Sequence, residues 1–140
     1  MIVRAAVILA VAALVLPSSA AAVVGRIEVT ALALVRTTNQ TGRPGRADDT
    51  VDQKWRLNDR QGRAIGTLII GCRWVTEGAR LCAFEARFPL GKITLAGASK
   101  SSFRGIVSVT GGTGRYRGAR GQATFVVTDF DRMILSIALT

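Results

Sequence analysis

The chain predicts an all-β domain, a sandwich or barrel of about eight short strands. Three observations carry this. Helical periodicity is absent after the first two dozen residues, and period-two alternation recurs in its place. Turn-forming clusters interrupt the alternation at short intervals. A glycine-rich run, Gly111-Gly112-Thr113-Gly114-Arg115-Tyr116-Arg117-Gly118-Ala119-Arg120-Gly121, joins two β-rich segments. Its arginines, its tyrosine and its lack of serine mark a sharply shaped connection rather than a floppy linker.

The chain opens with a targeting pattern. Arg4 precedes an apolar run from Ala5 to Leu16, and Pro17-Ser18-Ser19-Ala20-Ala21-Ala22 supplies small residues suited to cleavage. The apolar run is short for a membrane span of about 20 residues. Residues 1–22 are therefore expected to be a cleaved signal peptide, and residues 23–140 a single secreted, periplasmic or cell-envelope domain long enough to bury a core.

The first alternating segment carries Ile27, Val29, Ala31, Ala33 and Val35 on one face, with Leu32 and Leu34 breaking the polar one. Thr37 to Thr50 is polar and reads as an exposed loop, with a glycosylation-type sequon at Asn39-Gln40-Thr41. Val51, Trp55 and Leu57 define the next strand, and Asn58-Asp59-Arg60-Gln61-Gly62 the next turn. Ala64 to Trp74 and Ala79 to Phe88 form a hairpin around Thr76-Glu77-Gly78, a three-residue loop with glycine last. Pro89-Leu90-Gly91 turns the chain into Lys92 to Gly97. Phe103 to Val109 leads into the glycine run and Gln122 to Thr128 leaves it. Met133, Leu135, Ile137 and Leu139 line one face of a final strand.

The hairpin register sets Val75 against Ala79 and Cys72 against Cys82, with Ile70 opposite Phe84 and Leu68 opposite Ala86. Directly opposed residues approach to about 4.5 Å between Cα atoms, near the short limit of a disulfide. In an exported chain these two cysteines, the only ones, are expected to be bonded. Glu85 and Arg87 fall on the opposite face, expected to be the solvated one.

The composition removes whole classes of chemistry. With no histidine there is no Ser-His-Asp or Cys-His triad and no His-based metal site. No P-loop, zincin or dinucleotide fingerprint appears. Metals and cofactors are not expected. Catalysis would fall to carboxylates, tyrosine, lysine or arginine. Glu28, a carboxylate on a strand, and Tyr116, the only tyrosine, are the catalytic candidates; Arg120 and Tyr116 are the ligand-binding candidates.

Nineteen Lys and Arg oppose nine Asp and Glu, a net charge of +10, or +9 once Arg4 leaves with the signal. The cations are scattered singly except at Arg43/Arg46, Arg60/Arg63 and Arg115/Arg117/Arg120. Such charge favours polyanions. For an exported protein the expected electrostatic partner is an anionic cell-envelope polymer, not a specific nucleic acid. A second copy of the chain is the other candidate partner.

The run GGTG-x-[FY]-x-x-A-R-G at 111–121 resembles that of plant dirigent proteins and the related allene oxide cyclase barrels. The stretch from Cys72 and Cys82 through Phe88-Pro89-Leu90-Gly91-Lys92-Ile93-Thr94-Leu95-Ala96-Gly97 resembles small secreted bacterial members of that superfamily. The resemblance implies an eight-stranded antiparallel barrel. Gly111, Gly112, Thr113, Gly114, Gly118, Ala119 and Gly121 would shape it. It also implies a cofactor-free role: binding a small apolar or phenolic molecule and steering its coupling, or closing a ring as allene oxide cyclase does. The aromatic strand with His-Asp of plant dirigent proteins has no counterpart here; Glu28 and Thr30 stand in that region.

Overall fold

A computed structural model describes residues 24–39, 47–100 and 103–140. The expected signal peptide lies outside the described residues, as do Gln40 and Thr41 of the sequon. Eight strands follow in order: β1 Gly25–Asn39, β2 Thr50–Asn58, β3 Ala64–Thr76, β4 Ala79–Phe88, β5 Gly91–Ser99, β6 Arg104–Gly112, β7 Gly121–Asp129 and β8 Arg132–Leu139. Each pairs with the next, all antiparallel, and β8 closes onto β1 through Ile27↔Ile137, Val29↔Leu135 and Ala31↔Met133. Of the two all-β architectures, the chain takes the closed barrel, which leaves no free sheet edge.

Alternation decides which side chains go inside. Leu57, Leu68, Ile93, Leu95, Leu135 and Ile137 are completely buried and pack the lumen. Ile70, Cys72, Cys82 and Phe84 face inward as the hairpin pattern requires, while Glu85 and Arg87 point out and pair with each other.

Three local readings are corrected. The β3–β4 turn is Glu77-Gly78, with Thr76 opposite Ala79; the extra residue is absorbed as a bulge at Val75, so the Cys72↔Cys82 register is unchanged. Thr37 to Asn39 extend β1 instead of starting a loop, because they find partners in Asp52, Val51 and Thr50. Val35 does not continue the inward row. A second bulge, between Ala33 and Val35, shifts the register, and Leu34 and Val35 stand half-exposed outside. Beyond it Arg36 pairs with Gln53, two residues from the buried Trp55, so Arg36 takes the inward position.

Up-and-down connectivity sorts the strand ends into two rings. The base ring holds the start of β1, the β2–β3 turn, the β4–β5 turn and the glycine-rich connection from β6 to β7. Asp59 fastens its turn by accepting the backbone N–H groups of Gln61 and Arg63. The glycine run folds as a short 3-10 turn over Gly114–Tyr116. Thr113 N–H donates to the Lys92 carbonyl at 2.8 Å and Arg115 N–H to the Leu90 carbonyl at 2.9 Å, tying the run to the β4–β5 turn. Gly114 (φ +59°) and Gly121 (φ +136°) hold backbone angles that β-carbons disfavour, and a Cβ would meet the carbonyl oxygens of Leu90 and Ala138. The run thus closes the base.

The opposite ring, the mouth, holds the β1–β2 connection, the β3–β4 turn, the β5–β6 connection and the β7–β8 turn.

Candidate functional site

Inward rows on neighbouring strands meet below the mouth around a chamber of about 460 Å³. Trp55, Ile70, Phe84, Phe125 and Met133 form its apolar walls, with the Cys72–Cys82 disulfide on one side. Phe84 on β4 and Phe125 on β7 cross the lumen with ring centroids 5.7 Å apart. They mark the depth to which the barrel is open, since the residues toward the base are packed without exposure. Gly105 makes room for this floor: a Cβ there would come 2.7 Å from the Phe125 ring. The Trp55 indole N–H donates to Gln53 Oε1 at 3.2 Å, so its polar atom is satisfied beside an apolar space.

The rim is of a different character. Arg36, Arg80, Gln53, Thr128 and Asp129 line it, with Phe103 and Phe130 outermost. Arg80 is 8% exposed, in the inward row two residues above Cys82. Its guanidinium lies 5.6 Å from the centre of the Trp74 ring. Burial lowers its pKa from the ordinary arginine value, and the charge of Arg36 acts in the same direction. Arginine remains protonated under such conditions. The exposed Arg36 and the buried Arg80 thus bring two positive charges to the same rim.

A larger depression lies along the outside of β2–β5, over Gly71, Ala83, Ala96 and Ala98. It is a trough where small side chains thin the wall, open to solvent along its length.

The structure places the sequence candidates away from the chamber. Glu28 is near the base of β1 and pairs with Arg60 at 3.3 Å. Tyr116 stacks at the base against Phe88, ring centroids 5.7 Å apart. Arg120 donates to the carbonyls of Thr110 and Ala119, at 3.2 and 2.8 Å. Asp129 and Asp131 sit at the other end of the barrel from Arg120. None of the three lines the chamber. Among the described residues no group of His, Cys, Asp and Glu is arranged to hold a metal.

Arg36 and Arg80 are the residues that sequence reasoning passed over. Arg36 read as one scattered cation because a bulge decides its direction. The signal was present in Leu32 and Leu34, where the alternation fails. Arg80 was legible from the Cys72↔Cys82 register, which sets it on the same face as Cys82 and Phe84.

The closed barrel belongs to a known family. Residues 25–139 match the allene oxide cyclase barrel-like domain, and the chain is a member of that family. A pyocyanin demethylase is similar in structure, with a TM-score of 0.77 at 17% identity over 83% of this chain and 100% of that one. The Diels-Alderase AbmU from Streptomyces koyangensis superposes with a TM-score of 0.67 at 20% identity, covering 82% of this chain and 64% of that one. The pterocarpan synthase dirigent protein PsPTS1 gives 0.63 at 13% identity, covering 82% and 92%. At such identities the likeness is one of fold. No curated protein matches at the sequence level.

Proposed function

We propose that this barrel binds a small, mostly apolar or phenolic molecule in the mouth chamber, with an anionic group held by Arg36 and Arg80. The observation that carries the reading is the pairing of an aromatic-walled chamber with two guanidiniums converging on its rim. About 460 Å³ is ample for a one- or two-ring ligand and lies within the usual range of ligand pockets. A carboxylate or phenolate at the rim would take charge-assisted hydrogen bonds from planar guanidinium forks. The rings would lie against Phe84, Phe125 and Trp55.

A second step is supported by the names of the similar structures, which include Diels-Alderases and dirigent proteins. A reactive molecule anchored at one end and confined by rigid walls has few shapes open to it, which favours one course of ring closure or coupling. Asp129 is the carboxylate on this rim and would take the part that the sequence offered to Glu28.

Tryptophan fluorescence tests the binding step. Phenolic carboxylates should quench saturably, and their neutral methyl esters should bind about tenfold more weakly, the equivalent of roughly 1.4 kcal/mol. Equal affinities would remove the role given to the arginines. No binding of either would remove the chamber's.

A further inference from the structure

The charges of this barrel are sorted by end. Of its nine acidic residues, Glu28, Asp59 and Glu85 stand toward the base. Each is already in an ion pair: Glu28 with Arg60, Asp59 with Arg63, and Glu85 with both Arg87 and Lys92. That leaves Arg26, Arg115, Arg117 and Arg120 around the base ring, and Arg56 on the outer wall just above it, all exposed and with no carboxylate partner among the described residues. The other six acids, Asp48, Asp49, Asp52, Glu77, Asp129 and Asp131, lie at the mouth end, interspersed with Arg36, Arg73, Arg80, Lys100, Arg104 and Arg132.

Distance keeps the two ends separate. A nine-residue strand such as β2 is about 30 Å long, or somewhat over 20 Å along the axis of a tilted barrel. The Debye length at physiological salt is about 8 Å. The mouth acids therefore do not neutralise the base, which presents a strong positive potential of its own.

We infer that the base is a docking surface for a phosphate-bearing linear polyanion of the cell envelope, gripped by Arg26, Arg115, Arg117 and Arg120. Every unpaired cation in the set is arginine, whose fork matches phosphate oxygens two at a time. Arg115 and Arg117 are held on a short turn that is hydrogen-bonded to the β4–β5 turn, so they are presented from a fixed backbone. A polymer fits this end better than a bilayer. The exposed large apolar side chains near it are Val24 and Leu90, with no exposed aromatic ring, whereas the exposed Phe103 and Phe130 are both at the mouth. Docking by the base leaves the chamber open to the medium, and the inference does not depend on what the chamber binds.

Long-chain inorganic polyphosphate is the probe, with binding followed by titration calorimetry at 50 and 200 mM salt. The double variant R115Q/R117Q should bind at least tenfold more weakly at 50 mM salt. Its salt slope should be smaller by about 1.5, as expected for two lost phosphate contacts under counterion release. The control R104Q/R132Q removes the same charge at the mouth and should stay within twofold of the parent. Circular dichroism melts confirm that both variants fold. The inference is overturned if the parent shows no saturable binding at 50 mM salt, or if the two variants weaken equally. It is also overturned if phosphatidylglycerol vesicles or duplex DNA bind more tightly than polyphosphate at equal phosphate concentration.

Discussion

Cys72 and Cys82 face each other across β3 and β4 with their Cα atoms 4.1 Å apart, and the bond between them forms part of the chamber wall. It spans ten residues of sequence, so its contribution to stability should lie below the roughly 3 kcal/mol of a 15-residue loop. Thiol titration of the denatured, unreduced protein should find no free thiol. Reduction should lower the melting temperature modestly while the barrel survives. Because the bond lines the chamber, reduction should also weaken ligand binding. Intact affinity after full reduction would show that this wall does not touch the ligand.

At Gly112, Gly114 and Gly121 of the glycine-rich connection, close backbone contacts leave no room for a side chain. Gly121→Ala puts a Cβ against the Ala138 carbonyl at a positive φ. Gly118→Ala has a positive φ but open space. Urea melts should give about 1 kcal/mol of destabilisation at Gly118 and at least twice that at Gly121. Equal losses would mean that conformation alone, and not close packing, selects glycine at these positions.

Glu85 accepts hydrogen bonds from Arg87 and Lys92 on the outer wall, and these hold its carboxyl below the ordinary value of 4.5. A carboxyl whose pKa is lower in the folded state stabilises the fold above its unfolded pKa. That contribution is lost as pH falls through the folded value. Glu85→Gln should therefore be less stable than the parent at pH 7, and the two should converge as pH falls through the lowered folded value. Urea midpoints taken from pH 2 to 7 check this. A constant gap across that range would show that the ion pairs contribute nothing.

Arg36 and Arg120 are a matched pair of exposed arginines at opposite ends of the barrel. Arg36→Gln should cut the roughly tenfold preference for anionic over neutral ligands to about threefold, since Arg80 remains, and leave neutral ligands unaffected. Arg120→Gln should leave both unchanged, since that side chain serves the Thr110 and Ala119 carbonyls. The reverse ranking in a fluorescence titration would move the site to the base.

Much of the architecture was legible because alternation is a local signal. The inward set Leu68, Ile70, Phe84 and Ala86 followed from one hairpin and one opposed cysteine pair, and the closed barrel kept it. The site was less legible because it depends on where strands start to slip. One bulged residue at Leu34 reverses which way Arg36 points, and the sequence shows it only as broken alternation. Which end of the barrel stays hollow is a matter of packing among eight strands. Phe84 and Phe125 meet across the lumen although 41 positions separate them in the chain, from 84 to 125. The glycine run carries Tyr116 and Arg120, and it folds as a short turn at the base, at the far end of the barrel from the chamber.

The most direct test of the chamber uses Met133. Its side chain is 2% exposed and lines the chamber beside Trp55 and Phe125. A methyl-labelled sample gives it a single resonance apart from that of Met1. Titration with a phenolic carboxylate should shift the Met133 methyl signal and the Trp55 indole N–H signal together, with one dissociation constant, and leave Tyr116 unmoved. Binding that shifts Tyr116 while Met133 and Trp55 stay still would contradict the account.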